Sequence, residues 1–413
     1  MSAQKPLEGV RVVELGNYIA APTAGRLLAD FGAEVVKVER PGTGDELRRW
    51  RLTEGDTSML YRTINRGKRS VVLDLHSDAG REAVLELAAQ ADVLLENFRP
   101  GTLERWGIGP AELEAVNPEL VLVRVSAFGQ TGPMSARPGF AAVAEAYGGF
   151  REMVGEPGRP PSRTGFSIGD SIAGLYAAFG AVMRLFERER ARVADGGEPR
   201  ISLDQRTIDV ALNEAMLSVT ESLVPEFSAY GRRRERTGGR MEGIAPSNAY
   251  LCGDGKSIVV AGNGDGIFKR YMEAIGRPDL GSDPQLTSNE LRWQRRDELD
   301  DAIGDWTRQR SSGEALEALD VAGVPAGPIY TAEDVIADEQ YAARDMIQRF
   351  DIDDGASVRQ SVAMPGIVPV VGGRSLAITH PGPDLGADTH DVLAGWLGWD
   401  EARIAAHEEG VPA

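Results

Sequence analysis

An aspartate that follows glycine and opens a long apolar run, in Gly165-Phe-Ser-Ile-Gly-Asp170-Ser-Ile-Ala-Gly, has two chemical uses. At a helix N-terminus its carboxylate accepts backbone N–H bonds and complements the helix dipole. Beside flexible glycines the same carboxylate can attack an activated acyl carbon, with nearby amides stabilising the oxyanion. A second group is basic: Arg40, the turn Asn65-Arg-Gly-Lys-Arg-Ser70, and Asn97-Phe98-Arg99 with Arg105. Taken singly, each arginine is an ordinary solvated surface group. Together they fall at strand ends or in the turns beside them, where open α/β sheets bind ligands. Arginines with an exposed Phe98 and a polar Asn97 would suit a phosphate-bearing nucleotide and its adenine. A third motif, Gly238-Gly-Arg-Met-Glu-Gly243, reads either as linker or as a mobile glycine loop that covers a site. A dinucleotide site is disfavoured. Glu39 could serve as a ribose-binding acid, but the turn Gly16-Asn-Tyr-Ile-Ala-Ala-Pro22 lacks the second and third glycines that let backbone approach a pyrophosphate. The plainer reading of Glu39 is a strand-end residue facing solvent.

These residues need elements to hold them. Short apolar runs over 10–15, 34–39, 70–75, 92–96 and 120–125 read as strands, and 20–31, 78–91 and 110–116 as helices. Gly32 closes the first helix. The alternation predicts a parallel sheet with right-handed crossovers, a doubly wound Rossmann-like α/β domain. Further on, 168–192 reads as a long helix, Gly196-Gly-Glu-Pro199 as a turn, 201–203 as a strand and 204–224 as a helix. The polar, Arg-rich stretch 225–240 reads as a linker into a smaller α+β domain, which holds a hairpin (248–252 and 257–261) and helices to about 322. A turn and strand over 323–330 follow, with strands near 348–350 and 375–378 and a last helix near 388–397. The expected division is 1–224 for the first part of the large domain, 225–325 for the small domain with the glycine loop, and 326–413 for a segment that returns to the large domain.

Composition narrows the function. In 413 residues, 45 Lys and Arg stand against 63 Asp and Glu, a net charge of −18, so a broad nucleic-acid surface is not expected. One cysteine, Cys252, excludes an internal disulfide and a thiolate metal cluster. The four histidines, His76, His380, His390 and His407, leave a gap from 77 to 379, so no metal site or Ser-His-Asp triad is expected. No signal-peptide h-region follows Met1, and the longest apolar stretch, 173–183, is too short to span a bilayer. The expectation is a cytoplasmic protein without membrane partners.

In ordered succession, several segments resemble the family III CoA-transferases, the group that includes formyl-CoA transferase and carnitine CoA-transferase. They are Leu7-Glu-Gly-Val-Arg-Val-Val-Glu-Leu15, 28–41, 65–75, Glu96-Asn-Phe-Arg-Pro-Gly-Thr-Leu-Glu-Arg105, Gly129-Gln-Thr-Gly-Pro133, Pro138-Gly-Phe140, Gly169-Asp170-Ser171, Gly323-Val-Pro-Ala-Gly-Pro328 and Leu385-Gly-Ala-Asp-Thr-His390. The resemblance implies a covalent aspartate at Asp170, loaded as an aspartyl anhydride and then as an aspartyl-CoA thioester. It implies coenzyme A and acyl-CoA as substrates, with no permanently bound cofactor and a carboxylic acid as acceptor. By resemblance, CoA contacts fall on Ile19, Ala20, Arg40, Leu73 to His76, Asn97, Phe98 and Arg105, with Arg137 a weaker match near the CoA phosphates. Gly238, Gly239 and Gly243 become the lid. An interlocked homodimer is also implied, each chain forming a ring through which its partner threads.

Three positions depart from the formyl-CoA transferase pattern. Ile19 replaces a glutamine of the first turn, His76 replaces a lysine after the third strand, and the lid's run of glycines is broken. An apolar Ile19 would suit a longer or branched acid better than oxalate. Glu145, Tyr147, Arg163, Arg240 and Met241 are further candidates for the acyl pocket; an arginine there would point to a dicarboxylate. Two other readings compete. A 2-methylacyl-CoA racemase on the same fold needs a His and Asp pair across the substrate α-carbon, and the histidine gap counts against it. A non-catalytic acyl-CoA-binding protein would keep the basic strand-end residues without needing Asp170.

Overall fold

The computed structural model describes residues 5–55, 57–195, 202–353, 355 and 357–410. The chain divides into two compact units. The first comprises residues 1–150, 164–221 and 339–413, and the second 151–163 and 222–338. The second unit thus takes in an early segment, 151–163, expected to lie in the large domain. Its far boundary falls at 338, not at 325.

Six strands form the sheet of the first unit: Arg11–Glu14 (β1), Glu34–Glu39 (β2), Lys68–Val72 (β3), Val93–Glu96 (β4), Val121–Ser126 (β5) and Ile208–Ala211 (β6). Their order is β3-β2-β1-β4-β5-β6, and every pair is parallel. Successive strand residues face opposite sides, and two cores result. On one side Val13, Val36, Val71, Leu94 and Leu122 pack with Ala83, Val84 and Leu87 of the helix Asp78–Ala89. On the other, Val12, Val35, Val93, Leu95 and Val123 pack with two helices, Ala20–Asp30 (α1) and Ile168–Asp195 (α2). Small residues let these two helices touch. A Cβ on Gly174 of α2 would lie 2.6 Å from the Ala20 carbonyl oxygen and 2.7 Å from Thr23 Cβ. Gly174→Ala is expected to cost about 1–3 kcal/mol, by overpacking a rigid contact. A melting curve of the variant checks this.

Residues 339–413 complete the first unit. Val392, Leu393 and Trp396 of the helix Thr389–Leu397 join the first core, and Trp396 Nε1 donates to Glu34 Oε1 at 2.9 Å. The outer edge of β3 is covered. Ser70 N–H donates to Asp388 Oδ2 (2.9 Å), Val72 N–H donates to Thr389 Oγ1 (3.1 Å), and the Asp388 N–H returns to the Ser70 carbonyl (3.0 Å). Ile347–Asp353 and Val358–Pro365 pair as an antiparallel ribbon.

The helix expected over 204–224 is broken. Leu203–Arg206 is a short helix, β6 follows, and Leu212–Ser218 is helical again. The β-branched Ile208 and Val210 find an open edge at β5, pairing with Val123 and Val125, and that pairing overrides the helical pattern. The strand expected from Ile201 begins outside the described residues, as does the turn Gly196–Pro199. The helix Leu223–Tyr230 takes in the first residues of the expected linker, 225–230. Residues 375–378 form no strand. In the second unit Ser247–Leu251 (β7), Ser257–Ala261 (β8) and Ala326–Pro328 (β9) form an antiparallel sheet, order β9-β8-β7. It packs on Phe268, Tyr271, Leu299, Ile303 and Leu319. No described helix is long and apolar enough to cross a membrane.

Candidate active site

The turn after β1 carries the first candidate contacts, and four hydrogen bonds fix it. Lys37 Nζ donates to the Gly16 carbonyl (2.7 Å). Asn17 and Asn97 clasp each other: Asn17 N–H donates to Asn97 Oδ1 (2.8 Å), and Asn97 Nδ2 donates to the Asn17 carbonyl (2.7 Å). Tyr18 N–H donates to Asp45 Oδ1 (3.1 Å). Tyr18 has φ 62°, a left-handed conformation that costs a non-glycine residue about 1–3 kcal/mol and persists only when its surroundings hold it. Its ring packs on Trp50 (5.1 Å between centroids) and Phe140 (5.9 Å).

Beneath the turn lies a buried charge network of three acids and three bases. Lys37 Nζ sits 3.1 Å from Glu14 Oε1 and 2.8 Å from Asp45 Oδ2. Lys68 Nζ reaches the other Glu14 oxygen at 2.7 Å. Gly25 leaves room for this carboxylate, because a Cβ there would lie 1.8 Å from Glu14 Oε2. Glu39 is held by both arms of Arg48 (2.8 Å each), by Tyr61 Oη (2.9 Å), by Ser70 Oγ (2.7 Å) and by the Asp45 N–H (2.9 Å). Burial opposes the Lys37 ammonium, but Asp45, Glu14 and Glu39 outweigh it and hold its pKa above the usual lysine value. Burial would raise the Glu39 pKa; the Arg48 bond and charge overcome this and bring it down to about 2. For Lys68 burial wins over Glu14, and the pKa falls to about 8. Glu39 therefore neither faces solvent nor offers a free carboxylate to a ribose.

Each expected contact can now be placed. Ala20 opens α1, whose first turn has no side-chain cap. Ile19 is 5% exposed and its side chain packs with Leu47 and Tyr61. Its apolar character therefore serves this small core and does not shape an acyl pocket. Leu73 is likewise core, so at both positions only backbone is left for a ligand. Arg40 is exposed, with its guanidinium on Thr43 Oγ1 (2.6 Å) and Glu46 Oε1 (2.7 Å). His76 and Phe98 both meet Trp106 edge-on, at 5.5 and 5.1 Å, forming an aromatic row at the strand ends. Arg105 donates to Thr102 Oγ1 (2.9 Å). Phe98 N–H donates to Glu96 Oε2 (2.6 Å), and Arg124 Nε donates to Oε1 (2.6 Å). Burial raises the Glu96 pKa to about 7 against the pull of Arg124. Arg137 stands apart from this row; it bonds Tyr147 Oη at 3.4 Å.

Asp170 is half-buried in the first turn of α2, one turn before the Gly174 crossing with Ala20. A Cβ on the preceding Gly169 would lie 3.3 Å from Glu145 Cγ and 3.5 Å from Met216 Sδ, so Glu145 flanks the start of this helix. Gly238, Gly239 and Gly243 belong to the second unit. Gly238 N–H donates to the Gly155 carbonyl (3.1 Å), and Thr237 Oγ1 donates to the Arg240 carbonyl (2.7 Å). Arg240 is held by Asp297 (2.7 Å) and Asp300 (2.6 Å), which removes it as a carboxylate-binding candidate. Sequence reasoning missed Tyr18, Asp45, Trp50 and the aromatic contact of Phe140, and it read Lys68 as part of a ligand-binding turn, whereas Lys68 opens β3 and is buried against Glu14, which Lys37 also pairs. A signal for the trio existed: charged residues inside apolar strand runs must be paired.

The chain belongs to the CoA-transferase family III, whose model matches residues 7–389. It is 40% identical over 409 residues to the succinyl-CoA–D-citramalate CoA-transferase of Chloroflexus aurantiacus, covering 98% of both chains. The succinate–glutarate CoA-transferase of Agrobacterium fabrum is 31% identical, covering 94% of this chain and 95% of the relative. Among solved structures, a CAIB/BAIF family protein from Brucella suis superposes with a TM-score of 0.81 at 31% identity, covering 95% of this chain and all of that one. The protein is accordingly a CoA-transferase, acting between an acyl-CoA and a carboxylic acid.

Proposed function

We propose that Asp170 carries the acyl group and then CoA during transfer, and that the acids exchanged are dicarboxylic. The carboxylate attacks the donor thioester carbonyl, the C–S bond breaks, and CoA leaves as thiolate. The thiolate attacks the aspartyl carbonyl of the resulting anhydride, releasing the donor acid and leaving an aspartyl-CoA thioester. The acceptor carboxylate attacks that thioester and expels the thiolate again. Attack of the thiolate on the acceptor's acyl carbonyl gives the new acyl-CoA and frees Asp170. Each step exchanges carboxylate against thiolate, so it balances without an oxidant or a proton donor. Water must be kept out, since both intermediates hydrolyse; we assign Gly238–Gly243 to that role.

One observation carries this reading. The Gly174–Ala20 contact brings the helix that carries Asp170 in its first turn against the start of α1, where first-turn amides without a side-chain cap can meet a developing oxyanion. Dicarboxylic substrates are supported by relatives named for succinyl-CoA, D-citramalate and glutarate. Ala20, Asn97, the His76 and Phe98 row, Arg40, Arg105 and Arg137 are assigned to CoA. The backbone of Ile19 and Leu73 is assigned with them. A chain with a single, buried cysteine suits a reducing compartment, so we place the enzyme in the cytoplasm. The test is hydroxylamine trapping. Incubation with succinyl-CoA, then hydroxylamine and peptide mass spectrometry, should place the label on Asp170. Turnover with no label there would sink the covalent step.

We also propose a homodimer. Along α2, Leu175, Phe179, Met183 and Phe186 are exposed at helical spacing, Phe179 by 58% and Phe186 by 64%. Apolar surface on this scale marks an interaction face. Phe179→Glu combined with Phe186→Glu is expected to convert a dimer to monomer in size exclusion with light scattering. A monomeric parent protein would dismiss the proposal.

A further inference from the structure

We propose that Arg51 binds the distal carboxylate of the dicarboxylic substrate and so sets the preference for diacids over monoacids. This rests on the reading of Asp170 as the group that exchanges CoA. Four observations meet at Arg51. Its backbone has φ 66°, a strained conformation for an arginine at the tip of a loop. Its neighbour Trp50 packs on Tyr18, which packs in turn on Phe140. These rings form an apolar wall at the turn leading into α1. The guanidinium reaches across to the segment that ends in Asp170, with Nη1 3.4 Å from the Gly165 carbonyl. Finally, the nearby arginines Arg40, Arg48, Arg62 and Arg66 are paired with Glu46, Glu39, Asp384 and Asp30. Arg51 and Arg49, by contrast, show no carboxylate partner among the described residues, and of these two only Arg51 bonds the segment that leads to Asp170.

In a chain of net charge −18, an exposed guanidinium with no acid partner among the described residues offers its planar fork to an incoming carboxylate. The class of ligand follows from the surroundings. Tyr18, Trp50 and Phe140 offer contact to a short hydrocarbon chain, and Arg51 pairs with the carboxylate at its far end. The near carboxylate, or the thioester that replaces it, is left for Asp170. A monocarboxylic acid of the same length would contact the aromatic wall and leave the fork to water.

The experiment compares succinyl-CoA transfer to glutarate and to butyrate, acids that differ by the distal carboxylate. The parent protein is expected to prefer glutarate. In Arg51→Gln, the glutarate-to-butyrate ratio of kcat/KM should fall roughly 10- to 100-fold, the range for losing a charged hydrogen bond, chiefly through KM for glutarate. Arg51→Lys, which keeps the charge and loses the fork, should recover part of that ratio. A merely structural role would move both acids together and leave the ratio in place, which would overturn the assignment. A parent protein that transfers CoA to butyrate as readily as to glutarate would overturn it too, while Asp170 labelling by hydroxylamine would leave the covalent reading intact. Absence of both transfer and label would instead bring down the reading of Asp170, and this inference with it.

Discussion

Asp170→Asn is expected to lower CoA transfer by roughly 10⁴-fold or more while leaving the fold intact. The magnitude is that of removing a covalent nucleophile whose remaining neighbours still bind and orient substrate. The structural cost is small for a physical reason. At the first turn of α2 an asparagine keeps the size of the side chain and an oxygen acceptor, and the loss of charge near the helix dipole is worth about 0.3–2 kcal/mol. The two uses of an aspartate at a helix start, open in the sequence, therefore separate cleanly. A helix-capping role predicts an active asparagine variant with a near-normal melting temperature. A nucleophilic role predicts the same melting temperature with turnover gone and no hydroxamate at position 170. Steady-state rates alongside a thermal melt of the same preparation decide between them.

Glu39→Gln is expected to destabilise the first unit by about 3–5 kcal/mol, the cost of breaking a buried ion pair on one side. Arg48 would keep its charge in the interior, and one amide nitrogen would face donors that now all converge on carboxylate oxygens. The pH dependence has a definite sign. The folded-state pKa of Glu39 is depressed from 4.5 to about 2, so its contribution is fully present above about pH 4.5 and is lost as pH falls toward 2. Denaturant midpoints taken between pH 5 and 2 should drop more steeply in the parent protein than in the variant, which lacks the group. Activity should suffer as well, because the same carboxylate holds the Asp45 amide while Asp45 holds Tyr18 in place. If both proteins lose stability in parallel with acid, the network does not have the role assigned to it.

The opening β-α-β of the first unit was legible because each strand is a short run rich in valine and Gly32 ends the helix between them. Asp204–Val224 misled for the opposite reason: the segment is apolar at helical spacing, and only the open edge of β5 makes Ile208–Ala211 a strand. The segment 151–163 is rich in Pro, Gly and Arg, but its place in the second unit depends on contacts far along the chain that composition does not reveal. Within the candidate site, the resemblance pointed to Asp170 and the strand-end residues. It could not tell that the side chains of Ile19 and Leu73 are spent on the core. A left-handed tyrosine at position 18 leaves no trace in residue type. Glu14, Lys37 and Lys68 could have been found, as charges inside buried strands demand partners.

The cover on the edge of β3 has a consequence for biosynthesis. Asp388 and Thr389, which satisfy the outward amides of Ser70 and Val72, emerge from the ribosome more than three hundred residues after the strand they shield. Throughout that interval the nascent chain displays an unpaired strand border, the kind of template on which foreign strands assemble. Translation that stops short of residue 388 should therefore yield an aggregating product, even though every strand of the sheet has already been made.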